Sequence, residues 1–412
     1  MKVLLVHNDY QQPGGEDTVF GLEHQLLSSF GHRVVTYRRT NLEINGYSAT
    51  RRLLLIRQMI WAEDSKREIA ALLRQEKPDI VHVHNTFTQI SPSIYAECAK
   101  AGVPVVQTLH NFRLLCPAAT FYRDGRVCDE CVTHGLGRSI LHGCYRNSRC
   151  STAGVTAMLV THRRLQTWNR KITAYIALTD FARQQFIRGG FPAEKIHVKP
   201  NFAAPDPKQG TQSGGYAIYV GRLSPEKGLP ILLQAWHRLR NKIPLHIVGD
   251  GPLRPELTEY AERNGLSSVR FTGRLDRAET QQAIKDARFL ILPSVCYENF
   301  PMTIVEAFAG GTPVICSRLG AMREIVTHQH TGLHFDPTSS EQLSDMVAWA
   351  WEHAPRMQAM GTAARREFEL KYTAERNHSL LMDIYQRAAQ RPCVADASPC
   401  PPSAAVTSLG RG

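Results

Sequence analysis

At 412 residues and 43% apolar composition the chain is globular and longer than one ordinary domain; at about 150 residues per domain, two or three are expected. Lys plus Arg number 49 against 37 Asp plus Glu, a net charge of +12 that favours acidic partners. With no basic tail and no nucleic-acid motif, an anionic membrane surface or a phosphorylated ligand is expected before DNA or RNA. No apolar run approaches the roughly 18 residues needed to span a bilayer. The opening residues 1–8 have too short a core for a signal peptide and read as a first strand. The expected location is therefore cytoplasmic, with peripheral contact at the inner face of the membrane as a further candidate. In that compartment the ten cysteines read as thiols or metal ligands rather than a disulfide framework.

Strand-like runs alternate with helix-length segments throughout, the pattern of parallel α/β architecture. Strands are expected in the first half at residues 2–7, 33–37, 80–84, 103–109 and 175–178. A helix over 16–29 carries Val19, Phe20, Leu22, Leu26 and Leu27 on a broad apolar face, with Gly31 as its stop. Before it, Gly14-Gly15 form a turn that a ligand could approach closely, although paired glycines are also common in ordinary turns. Residues 51–61 are basic and amphipathic, either an interfacial membrane helix or a helix facing the core. His162-Arg163-Arg164 and Arg170-Lys171 are candidates for the same surface. His110 closes the strand over 103–109, and ligands of open α/β sheets bind beyond the carboxyl ends of strands.

Cysteine concentrates in residues 111–150. Cys128 and Cys131 form a Cys-x-x-Cys knuckle, with Cys116 12 residues before it and Cys144 13 after. Four thiolates so spaced could close a tetrahedral zinc site; a redox pair or reduced free thiols are the alternatives. Cys150 falls outside the set. Pro, Gly and small polar residues at 199–215 mark a linker, after which a second α/β series begins. Its strands are expected at 216–220, 245–248, 269–271, 289–292 and 313–316. Two such halves leave a cleft between two sheets, a preferred place for ligands. The expected organisation is a first domain over 1–200 with its Cys-rich insertion, a linker at 201–215, and a second domain over 216–372. A final helix over 373–390 and a disordered tail over 391–412 complete it.

Arg222 and Lys227 flank a turn after the first strand of the second half and aim two cations at the strand-end region. Gly249-Asp250-Gly251-Pro252 is another strand-to-helix turn on that edge, unlike an ATPase phosphate loop. The stretch 294–306 holds Glu298 in a loop and Glu306 about one turn into a helix. Pro301 suits that helix's first turn, and the amides of Met302, Thr303 and Ile304 would form an anion site suited to phosphate. A carboxylate, a phosphate cradle and a second carboxylate suit a nucleotide-linked sugar.

Residues 221–228, the Glu298–Glu306 pair and Gly310-Gly311-Thr312-Pro313-Val314-Ile315 together resemble family 4 of the retaining glycosyltransferases, over about residues 1–385. Residues 110–117 and 143–146 resemble a bacterial surface-polysaccharide subgroup that carries cysteines. The resemblance implies a GT-B fold: two Rossmann-like domains facing each other across a cleft, with a C-terminal helix crossing back to the first. It implies that Arg222 and Lys227 hold the donor diphosphate and that Glu306 bonds the nucleotide ribose. Glu298, with Asn299, Phe300, Pro301, Met302 and Thr303, would hold the donor sugar and distal phosphate. His110 would face that sugar, Gly14 and Gly15 would approach the phosphates, and Gly251 and Arg274 would lie near phosphate and base. Many members have Gly where this chain has Asn299, a larger side chain that could trim the sugar pocket.

The reaction implied is retaining hexosyl transfer from a nucleotide-diphosphate sugar to a saccharide or lipid-linked acceptor. The sequence contains no Asp-x-Asp manganese clamp, and no catalytic metal is expected. The alternatives are a nucleotide-sugar epimerase or a sugar phosphorylase among enzymes and a basic nucleic-acid-binding protein outside them. The last would need interleaved aromatic and basic residues, which are not found.

Overall fold

The computed structural model describes residues 1–12, 14–48 and 54–390. The first half contains β1 (Lys2–Asp9), β2 (Arg33–Thr40), β3 (Ile80–Val83), β4 (Val105–Leu109), the short pair β5 (Tyr122–Arg123) and β6 (Arg126–Val127), β7 (Ala174–Ala177) and β8 (Ile196–Val198). The second contains β9 (Ala217–Val220), β10 (Leu245–Val248), β11 (Val269–Gly273), β12 (Phe289–Leu292), β13 (Val314–Ser317) and β14 (Gly332–Phe335). Two six-stranded sheets result, ordered β2-β1-β3-β4-β7-β8 and β11-β10-β9-β12-β13-β14. Every strand in them pairs parallel. The largely apolar strands such as β3 (Ile-Val-His-Val) and β12 (Phe-Leu-Ile-Leu) are buried throughout, as strands covered on both faces must be.

The order of the second sheet places its topological switch point between β9 and β12, and that of the first places it between β1 and β3. Ligands of doubly wound sheets bind in the crevice outside the strand ends at such a point. The turn at Arg222 and Lys227 follows β9, and the loop at Glu298 follows β12. The Gly14-Gly15 turn follows β1 and leads into the Gly15–Ser29 helix. Topology therefore converges on the residues the motifs singled out.

β8 and β14 fall outside the expected strands. Their sequences, Ile-His-Val and Gly-Leu-His-Phe, are too short to show a period, and parallel pairing along a strand already in place defines them.

The Ala374–Gln390 helix crosses back to the first domain. Its Leu381, Ile384, Tyr385 and Ala388 pack with Val3, Leu5, Phe20 and Val106, and the Tyr385 hydroxyl lies 2.7 Å from His82 Nδ1. The segment read as a linker is held at its start. Lys199, Asn201, Phe202 and Ala203 are buried, and further on the Gly210 amide bonds the Gly310 carbonyl at 2.8 Å. Its large side chains pack on the first domain and the crossing helix, Phe202 with Leu22, Leu26 and Ala374 and Lys199 with Glu23 and Asn377.

Two other expectations change. Residues 51–53 of the amphipathic stretch and the tail at 391–412 lie outside the described residues. The Leu55–Ile60 helix buries Met59 while Leu54 and Ile56 are exposed. His162 does not join a basic surface: it is fully buried, its Nε2 2.8 Å from the Ile60 carbonyl and its Nδ1 2.9 Å from Thr167 Oγ1. Among the described residues no helix is long and apolar enough to cross a membrane.

Candidate active site

Beyond β12 the chain runs as an irregular loop to Pro301, then enters the Met302–Gly310 helix. Pro301 is the N-cap, with φ −74° and ψ 101°, rather than part of the first turn. The Ile304 amide bonds back to the Pro301 carbonyl at 3.0 Å. The amides of Met302 and Thr303, which have no intrahelical partner, stay at the positive end of the helix.

Glu298 and Lys227 form one unit. Lys227 Nζ and Ser294 Oγ each donate to Glu298 Oε1 at 2.6 Å. Burial opposes charge on both groups. On Lys227 the Glu298 carboxylate outweighs it and the pKa is raised; on Glu298, Lys227 and Ser294 outweigh it and the pKa falls below the ordinary 4.5. Both are thus charged near neutrality, and Glu298 Oε2 is the oxygen left to meet a ligand hydroxyl. Arg222, on the same turn, is exposed. Glu306 sits one turn into its helix, where burial raises its carboxyl pKa while Arg277 pulls the other way.

Asn299 joins the two halves of the cleft. Its buried Nδ2 donates to the Leu109 carbonyl at 2.5 Å, so the Glu298 loop is pinned one residue from His110. Asn299 Oδ1 remains buried with no partner. Phe300 packs in apolar clusters of both domains, and Tyr297 meets Phe181 edge to face at 4.8 Å. Glu324 caps the Asp180–Arg188 helix of the first domain, accepting the amides of Asp180 at 2.8 Å and Phe181 at 2.7 Å.

His110 Nε2 lies 2.9 Å from His84 Nδ1. Burial, neighbouring histidines and Lys199 hold the pKa of both rings well below 6.5, so they are neutral at pH 7. His84 Nε2 is 3.4 Å from Glu23 Oε2, and Glu23 Oε1 is 3.3 Å from Lys199 Nζ. Lys199 in turn donates to Asn377 Oδ1 at 3.0 Å. A buried polar chain therefore runs from His110 to the crossing helix. Sequence reading missed His84, Glu23, Lys199 and Asn377; the only local signal was a His-x-His at the end of β3. It also missed Glu16, whose carboxyl accepts from Asn111 at 3.0 Å and is pushed up to about 7 by burial.

A Cβ added at Gly15 would meet nothing within 4 Å and one at Gly14 only Asp17 Oδ2 at 3.8 Å. Packing does not demand glycine there, which leaves the turn open to a ligand. Gly251 differs, because a Cβ would stand 2.4 Å from the Leu223 carbonyl oxygen, so close backbone packing accounts for it. Arg274 is exposed.

Cys116, Cys128, Cys131 and Cys144 line one small cavity, while Cys150 is exposed. The segment also has apolar anchors of its own: Phe112, Leu115, Phe121 and Leu136 are buried in the first domain's core. Among the described residues, the ligand-type groups whose atoms all lie within 4.8 Å of one another are Glu23, His82, His84 and His7, Asp9, Asp17. Neither suits a metal. Both ring nitrogens of His82 are engaged, by Tyr385 and Thr108, and Lys199 stands beside Glu23. In the second group Asp9 pairs with Arg38, and Asp17 takes the Gly14 amide.

Two parallel α/β domains facing each other across a cleft form the GT-B fold of sugar-transferring enzymes. The family model described as glycosyl transferases group 1 matches residues 206–367, and that of a glycosyl transferase 4-like domain matches 12–201. An uncharacterized glycosyltransferase of Methanocaldococcus jannaschii, MJ1607, is 30% identical over 305 residues, 71% of this chain and 69% of that protein. The chain belongs to family 4 of the glycosyltransferases. The O-antigen chain mannosyltransferase C of Escherichia coli is 29% identical over 177 residues, 42% of this chain and 47% of its own length. Alignments with that protein and two other curated relatives span only 40% to 47% of their lengths. Anabaena Alr3699/HepE, solved in complex with UDP, shares the fold at a TM-score of 0.66 and 18% identity, covering 94% of this chain and 100% of that one.

Proposed function

We propose that this protein transfers a hexosyl unit, with retention, from a nucleoside-diphosphate sugar to a saccharide or lipid-linked acceptor of a cell-surface polysaccharide or glycolipid. The observation that carries this reading is the Asn299–Leu109 bond, which joins the Glu298–Lys227 loop to the residue before His110. A donor sugar held by Glu298 Oε2 and the Met302 and Thr303 amides would meet a neutral His110 from the opposite domain. Negative charge builds on the leaving diphosphate as the glycosyl bond breaks, and Arg222, Lys227 and the helix start are preorganised to stabilise it. In a retaining transfer the leaving phosphate oxygen takes the acceptor's proton on the same face. Glu298, already bonded to Lys227 and Ser294, acts as a sugar holder rather than a nucleophile. Glu306 would bond the ribose, with Arg274 near the base and the Gly14-Gly15 turn near the phosphates.

The complexes of Alr3699/HepE with UDP and with UDP-glucose support a nucleotide-sugar donor, and the Escherichia coli O-antigen enzyme supports a polysaccharide acceptor. The test is a donor screen read by nucleoside-diphosphate release, with crude lipid or oligosaccharide as acceptor. Release from one donor, dependent on acceptor, is the expected result. Conversion of the donor with no acceptor present would show an epimerase instead, and no turnover of any donor would overturn the proposal.

A further inference from the structure

The Cys-rich segment forms part of the first domain's wall beside the cleft. Phe121 meets Tyr297 of the donor-side loop edge to face at 6.2 Å, and Arg188 pairs with Asp129 of the Cys-x-x-Cys knuckle at 2.7 Å. Yet the segment has little regular structure: two strands of two residues and helices at Glu130–Thr133 and Gly137–His142. Elements this short do not hold their own geometry.

Four thiols from three separate stretches meet inside it. The cavity they line measures about 10 Å³, room for one water-sized body. Cys116 and Cys131 are both buried in the first domain's core, and their side chains are in contact. Arg123, Arg138 and Glu130 also line the cavity; Arg123 is paired with Glu130 at 2.6 Å and with Asp124 at 3.3 Å. Arg138 adds a positive charge beside the sulfurs, where four thiolates on a divalent ion would leave two negative charges. The four sulfurs do not all lie within 4.8 Å of one another. Cys128 and Cys144 are only half-buried, so rotation about χ1 can bring their sulfurs inward.

We propose that Cys116, Cys128, Cys131 and Cys144 bind one structural Zn²⁺ ion that fixes this wall of the cleft. Each thiol gives up its proton on binding, all four coordination positions are protein sulfurs, and none is left for chemistry. The site is independent of which sugar or acceptor the enzyme uses.

The full chain, made in zinc-supplemented medium and purified without chelator, should carry about one zinc by plasma mass spectrometry, as a closed four-thiolate site requires. Exchange for Co²⁺ should give thiolate-to-cobalt charge-transfer bands and the visible bands of a tetrahedral ion. Cys144→Ser should lose at least nine-tenths of the metal, and Cys150→Ser should keep it. The cobalt spectrum needs no variant, so a misfolded Cys144→Ser chain leaves the test standing. Wild-type protein that holds no zinc and takes up no Co²⁺ overturns the proposal. So does full retention of zinc by a soluble Cys144→Ser chain, or disulfide pairing of these cysteines in the intact mass.

Discussion

Lys227 and Glu298 are 71 residues apart in sequence and 2.6 Å apart in space. Replacing Lys227 with Ala removes a cation from the proposed leaving-group side and strands a buried carboxylate. Nucleoside-diphosphate release should fall by about 10²- to 10³-fold, the scale for losing one preorganised charge-stabilising group. Arg222→Ala, at an exposed side chain, should lower the same rate with little change in melting temperature; wild-type rates in both variants would defeat the site assignment. The pair also predicts a pH dependence. The Glu298 carboxyl is held below its ordinary 4.5, so its contribution to stability is present above that pH and is lost as pH falls through its folded value. Wild type should therefore melt above Glu298→Gln by a constant margin from about pH 5.5 to 8, and the margin should shrink below pH 4.5. Equal margins at pH 3.5 and pH 7 would contradict the ion pair.

At the scale of elements, the strand-end loops carry the site and rigid strands aim them. The Met302–Gly310 helix was legible from Pro301 and the apolar run after it, but its first residue was misplaced by one because capping is decided by φ and ψ. The Glu324 cap on the Asp180–Arg188 helix had no local signal at all. Its donors lie 144 and 143 residues away in sequence. Glu324→Ala should destabilise the protein by about 1 kcal/mol, the usual cost of a lost N-cap acceptor, and Glu324→Gln by less. Urea denaturation measures both, and an unchanged midpoint for Glu324→Ala would remove the cap from the account.

The whole molecule is tied together where the linker, the crossing helix and the first domain meet. Lys199 and Glu23 are 1% exposed at their side chains, and Asn377 completes the contact by donating to the Pro200 carbonyl at 2.6 Å. Lys199→Met leaves Glu23 buried beside His84 without its cation. That should cost about 3–5 kcal/mol, the range for breaking one side of a buried pair. The double variant Lys199→Met, Glu23→Gln should recover much of it, because no unpaired charge remains. Urea midpoints of the two single variants and the double variant, compared as a cycle, decide this. A Lys199→Met chain as stable as wild type would mean that the network does not hold the crossing helix to the first domain.

The α/β class was legible in the sequence, and so were the candidate residues Arg222, Lys227, Glu298 and His110. Parallel strands buried on both faces must be apolar, and turns that approach a ligand or another backbone favour glycine. Those requirements are local and leave marks on local composition. That Lys227 and Glu298 are one unit, that Asn299 reaches Leu109, and that His110 rests on a polar chain ending in the crossing helix emerges only once the chain is folded. A hydrogen bond between distant segments depends on how they pack, and a lysine in a Pro-rich stretch reads the same whether it meets water or Glu23.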